Sequence, residues 1–117
     1  ILEMLKNKPH ILTILGLGKD GHTASIFSDF PWDKGNTSLV LPVSGKTQPN
    51  KLDRITITPY FINNFVKSIM LITTGEEKKE ILQEVIKDLK ENNPSSPFPT
   101  VRVFLNHLKE ILFFTDI

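Results

Sequence analysis

The 117 residues include no cysteine. Disulfides, thiolate zinc centres and cysteine nucleophiles are thereby excluded. An excess of charge is missing as well: 14 basic residues against 13 acidic ones leave a net charge of +1. A polyanion binder would show a surplus or a basic stripe, so no nucleic-acid partner is expected. The lysines at 6, 8, 46 and 51 are scattered and read as solubility. Apolar runs such as 69–72 fall far short of the roughly 20 residues that span a bilayer. No basic-then-apolar leader opens the chain, so no membrane association and a cytoplasmic location are the expectation.

What is present is ordinary globular text, 39% hydrophobic and 23% charged, enough for one domain with a modest core. Ile1, Leu2 and Leu5 are spaced like the last turns of an amphipathic helix, which implies a segment upstream. After Pro9 the run 11–15 reads as a strand entering a glycine-rich loop, and "HTASIF" suits a short helix beginning near Asp20 or Thr23. Loop text dominates 28–51, interrupted by "LVLPV", a short strand that Pro42 marks as an edge or an end. "DRITIT" alternates like a strand, and Pro59 opens the helix "PYFINNFVK". "SIMLITTG" is continuous and apolar, the kind of strand buried on both faces of a parallel sheet. Helix 76–90 follows, with Ile81, Leu82, Val85, Ile86 and Leu89 at helical spacing, and "EILFFTD" supplies a last strand. Alternating strands and helices predict an α/β fold, a Rossmann-like, mostly parallel sheet flanked by helices.

The loop after the first strand reads "GLGKDGH", with Gly16, Gly18 and Gly21 in the dinucleotide spacing G-x-G-x-x-G. The context argues against a dinucleotide. A Rossmann unit continues into a full helix and a second strand that ends in an acid about 20 residues on. Here turn-formers resume after Phe27, and Asp29 and Asp33 lie inside them. A plainer reading makes Gly16 and Gly18 a tight strand-to-helix turn that Asp20 caps. Against it stands position, because ligands gather at the carboxyl ends of strands in open α/β sheets. Asp20 and His22 sit at such an end, and an imidazole suits general-base work at neutral pH.

"ILGLGKDGHTASIF" closely resembles the signature of the 6-phosphogluconolactonase family, and more loosely that of the related glucosamine-6-phosphate deaminases. "RITIT" at 54–58 resembles the family's Arg-containing strand, and "TGEEK" at 74–78 resembles its Gly-x-x-Lys turn. The resemblance runs along essentially the whole chain but corresponds only to the C-terminal half of the family domain. It makes 1–117 the C-terminal part of a single α/β domain, with a further polypeptide upstream to complete it. The family's Phe-Asp before the strand core is His10-Ile11 here, and its Pro-Gly after Leu-Phe is Ser28-Asp29.

The resemblance implies hydrolysis of 6-phospho-glucono-1,5-lactone to 6-phosphogluconate in the pentose phosphate pathway, with no metal and no cofactor. His22 would take a proton from the attacking water and Asp20 would support the imidazole. Amides of the turn at Gly16 and Gly18 would face the oxyanion, and Arg54 and Lys78 would hold the 6-phosphate. Lys78 has support of its own: it falls on the apolar face of the 76–90 helix, in the first turn, where a cation opposes the helix dipole. A bound phosphate resolves both conflicts, whereas Lys79 falls toward the flank. His10 and His107 read as surface or packing residues, and three scattered histidines give no metal-ligand spacing. A deaminase is the alternative enzyme, but its Asn-Glu-Pro segment has no counterpart after Ser25, Ile26, Phe27 and Ser28. A non-catalytic sugar-phosphate-binding fragment is the alternative outside enzymes.

Overall fold

A computed structural model describes residues 2–46, 48, 51–105, 107 and 110–117. Ile1, part of the loop text at 44–51 and part of the closing segment lie outside the described residues. A five-residue helix, α1 (Leu2–Lys6), precedes the first strand, β1 (Ile11–Gly16). The strands β2 (Val40–Val43) and β3 (Arg54–Ile57) pair antiparallel, with Pro42 opposite Ile55. Both are edges of a two-stranded sheet, which is where a residue without an N–H is tolerated.

Helix α2 (Pro59–Phe65) begins as its sequence predicts, with Pro59 at the start and the Thr58 hydroxyl accepting the Phe61 N–H at 3.1 Å. It ends two residues earlier than expected. Val66 takes extended angles, φ −87° and ψ 130°, and the chain passes directly into β4 (Val66–Thr73). Helix α3 (Lys79–Lys90) follows a single 3-10 turn at Glu76–Lys78, so Lys78 precedes the α-helix instead of lying in its first turn. Helix α4 (Pro99–Phe104) and β5 (Glu110–Thr115) complete the order.

The main sheet has the order β1-β4-β5, with both pairings parallel. On one face Leu15, Ile69 and Leu71 join Ile81, Leu82 and Val85 of α3 and Val101, Val103 and Phe104 of α4 in the core. The other face is open. Leu12, Ile14, Ile72, Leu112 and Phe114 are 50, 60, 42, 39 and 47% exposed. They share that face through the registers Ile14–Met70–Leu112 and Gly16–Ile72–Phe114. Burial of β4 on both faces therefore holds on one side only, because no described element crosses the second face.

Two segments depart from the pattern. The helix expected from Asp20 or Thr23 to Phe27 does not form: Gly21 and Ala24 have φ of +84° and +51°, outside any right-handed helix. Its amides and caps are committed elsewhere. The Ile26 N–H closes a turn on the Thr23 carbonyl at 2.9 Å, and the Ser25 N–H donates to the Thr56 hydroxyl at 3.0 Å. Thr23 turns its hydroxyl backward to the Gly16 carbonyl at 2.8 Å instead of capping forward. Conversely, the sequence pattern assigns no element to α4. "PTVRVF" alternates apolar and polar residues like a strand, yet Pro99 starts a turn buried nearly all round, and tertiary packing overrides the β-branched valines.

Candidate active site

β1 delivers the chain to the carboxyl edge of the sheet at Gly16, and the following loop folds back on itself. The Gly18 N–H donates to the His22 carbonyl at 2.8 Å, and the Gly21 N–H donates to the Gly18 carbonyl at 3.0 Å. Helix α4 supports this loop from behind: the Thr100 N–H donates to the Gly21 carbonyl at 3.0 Å. A Cβ at Gly21 would stand 2.6 Å from the Phe98 ring. Gly18 is required for a different reason. A Cβ there would lie 2.2 Å from both Nδ1 and Cε1 of His22, so the imidazole rests directly on the glycine backbone.

Asp20 and His22 are brought together. The Asp20 carboxylate accepts the His22 backbone N–H at 3.2 Å and pairs with His22 Nδ1. With no helix at this point, Asp20 is not a cap; its carboxylate turns to His22 instead. A proton held on Nδ1 by the carboxylate leaves Nε2 with the lone pair, the arrangement a general base needs. Partial burial pushes the Asp20 carboxyl upward, but the hydrogen bonds and charge of His22 outweigh it and hold the group below its usual value.

His22 lines a cleft of about 450 Å³ together with Gly16, Gly18 and Lys78. Lys78 is half-buried there, whereas Lys79 is exposed. Arg54, at the start of β3, reaches the same neighbourhood through a residue that the sequence did not single out for a role. Phe27 is buried, its ring centroid is 4.4 Å from that of His22, and the Arg54 Cζ lies 5.4 Å from the same centroid. Thr23, Thr56 and Phe98 also hold the loop; the only sequence signal for them is their place beside or across from the motif. The turn's amides differ from the expectation at one position, since the Gly18 N–H is already taken by the His22 carbonyl.

His10 is exposed, 3.4 Å from the Ser68 hydroxyl, and His107 is buried elsewhere. Among the described residues no three histidine, cysteine or acidic side chains group as metal ligands. No helix among them is long and apolar enough to cross a membrane. A larger cleft of about 670 Å³ opens beside Trp32, Tyr60 and Arg102 but contains none of the side chains above. Chemistry, rather than volume, singles out the smaller one.

Residues 3–111 match the family model described as glucosamine-6-phosphate isomerases/6-phosphogluconolactonase. A probable 6-phosphogluconolactonase of Schizosaccharomyces pombe is 36% identical over 105 residues, which are 90% of this chain and 38% of that protein. The human 6-phosphogluconolactonase is 33% identical over the same shares of each chain. The chain thus spans 38% of the length of these curated relatives. Among solved structures, the 6-phosphogluconolactonase from Trypanosoma cruzi superposes with a TM-score of 0.68 at 32% identity, over 89% of this chain and 38% of that one. A monomeric glucosamine-6-phosphate deaminase superposes with a TM-score of 0.66 at 16% identity, over 97% of this chain and 49% of that one, a likeness of fold. The Asp20–His22 loop, the parallel sheet that carries it and these matches converge: the chain belongs to the glucosamine-6-phosphate isomerase/6-phosphogluconolactonase family.

Proposed function

We propose that the chain is the C-terminal part of a single lactonase domain that hydrolyses 6-phospho-glucono-1,5-lactone to 6-phosphogluconate. The observation that carries this reading is the Asp20–His22 pair at the end of a parallel strand, with His22 lining the cleft that also receives Lys78. His22 Nε2 removes a proton from water as the water oxygen bonds to the lactone carbonyl carbon. The carbonyl oxygen takes up negative charge, then the ring C–O bond breaks and the imidazolium returns its proton to the leaving alkoxide. Asp20 keeps the imidazole in the required tautomer and offsets its transient charge. One base and a stabilised oxyanion are sufficient for this hydrolysis, and no metal or cofactor enters it.

Lys78 and Arg54 hold the 6-phosphate. Arg54 suits bidentate contact, and Lys78 stands just ahead of α3, where the helix dipole favours an anion. Gly16 gives the substrate close access to backbone, whereas Gly18 gives that access to the His22 imidazole. After His22 the sequence has no glutamate before Glu76, so the segment in which a deaminase carries its assisting glutamate lacks one here, which favours the lactonase.

An upstream polypeptide completes the domain. All-parallel sheets have both faces covered, whereas here one face presents Leu12, Ile14, Ile72, Leu112 and Phe114 to solvent. A chain that spans 38% of its curated relatives leaves ample length for such a cover. The completed protein is cytoplasmic and acts on a small sugar-phosphate lactone. The test is complementation: the region of the S. pombe relative upstream of the match is fused ahead of Ile1. Hydrolysis of the phosphorylated lactone above its spontaneous rate supports the reading. A folded fusion without such activity contradicts it.

A further inference from the structure

We propose that Asp116 is a positioning residue for Lys78 and acts through Gly75; the inference rests on the reading of Lys78 as the phosphate contact. β4 and β5 end side by side, with Thr73 opposite Thr115, so the residues just beyond them emerge together. There the Gly75 N–H donates to Asp116 Oδ1 at 3.1 Å. On its other side, the Gly75 carbonyl accepts the Lys78 N–H at 3.0 Å. One residue therefore connects the Asp116 carboxylate to the backbone of the lysine that lines the cleft with His22.

Gly75 is a joint that needs holding. Its φ is +94°, and a Cβ in that position would meet the Glu77 carboxylate at 2.6 Å, so no other residue fits without displacing Glu77. Glycine also loses the most conformational freedom on ordering, and an untethered one would let the turn at Glu76–Lys78 wander. The Asp116 contact selects one orientation of that turn. Its negative charge also stands just ahead of the 3-10 turn and α3, the favourable end of a helix for an anion. With the turn fixed, the Lys78 stem leaves the backbone toward Gly16, Gly18 and His22. Without it, the amine is no longer presented to the phosphate in one geometry, although every residue that touches substrate is still present.

The test uses the complemented protein, with amide exchange and inorganic-phosphate titration followed by NMR. Asp116→Ala should speed exchange at the Gly75 amide and weaken phosphate binding by about fivefold, as the loss of a helix-capping side chain does. Asp116→Asn keeps the Oδ1 acceptor and should stay within about twofold of the parent, a rescue that a role for bulk charge would not give. In a Lys78→Ala background, Asp116→Ala should add no further loss, because both changes remove one contact. Unchanged exchange at Gly75, an additive loss or failure of Asn to rescue would each overturn the proposal. If the complemented parent does not bind phosphate, the phosphate role of Lys78 fails. Asp116 is then judged by whether the Gly75 exchange and the Lys78 amide shift move together in Asp116→Ala, and their independence overturns the link.

Discussion

One ring, that of Phe27, neighbours both His22 and Arg54: its centroid lies 4.4 Å from that of the imidazole and 5.4 Å from the guanidinium carbon. The proposed base and one proposed phosphate ligand thus share a single apolar partner. Phe27 is itself 6% exposed, so both polar groups border a buried ring.

Lowering the pH should remove a small stabilisation that Asp20 provides. Its folded-state carboxyl titrates below the usual value, with partial burial opposed and outweighed by the contacts to His22. A depressed carboxylate contributes stability above the ordinary value of about 3.9, and that contribution is lost as pH falls through the folded-state value. Asp20→Asn should accordingly lower Tm at pH 7 and match the parent in strong acid. The Asp20 side chain is 61% exposed, so solvent screens the pair and the Tm difference is small. Thermal melts at several pH values check this, and a difference that grows in acid would contradict it.

Exhaustive chelation should leave the hydrolytic rate of the complemented protein unchanged. The mechanism asks only for an imidazole base and fixed hydrogen-bond donors. A rate lost on chelation and restored by adding a divalent ion would show that a metal takes part.

The chain alone should be much less active than the complemented protein and prone to associate. Leu12, Ile14, Ile72, Leu112 and Phe114 form a contiguous apolar face, and such a patch drives association. Sedimentation of the chain with and without the upstream region measures this. Full activity and a monomeric state for the chain alone would make that region dispensable.

Lys78 and Lys79 are adjacent, yet their replacement by Ala should have unequal effects. Loss of a charge-assisted contact costs about 1.5–3 kcal/mol, or roughly 10- to 150-fold in affinity for the phosphorylated lactone. Much of that should appear in KM, because the phosphate lies away from the reacting carbonyl. Lys79→Ala should change little, about 0.5 kcal/mol or less, as ordinary surface positions do. Non-phosphorylated gluconolactone is the control, and Lys78→Ala should cost much less on it. Equal losses on both substrates would place the phosphate elsewhere.

The elements readable in advance were those whose signal is local. The apolar runs of β1 and β4 and the helical spacing of Ile81, Leu82 and Val85 needed no tertiary information. That Asp20 and His22 lie together follows from their spacing in the glycine loop, whereas Lys78 lines the cleft from a 3-10 turn and not from the helix face that marked it. The expected helix before Phe27 failed because Gly21 and Ala24 adopt left-handed angles, which a helix-friendly composition cannot reveal. Helix α4 was hidden by its strand-like alternation, and its support of Gly21 is visible only in three dimensions. The contacts of Phe27 with Arg54 and of Thr56 with Ser25 join residues about 30 apart in sequence, beyond any local pattern.

The most direct test compares His22→Asn with the parent in the complemented protein, as turnover of 6-phospho-glucono-1,5-lactone corrected for spontaneous hydrolysis. Asparagine keeps a hydrogen-bonding side chain over Gly18 but cannot accept the proton from water, so turnover should fall by about 10²–10⁴ while folding is retained. Turnover within about tenfold of the parent, below that range for a general base, would remove His22 from the mechanism and contradict the account.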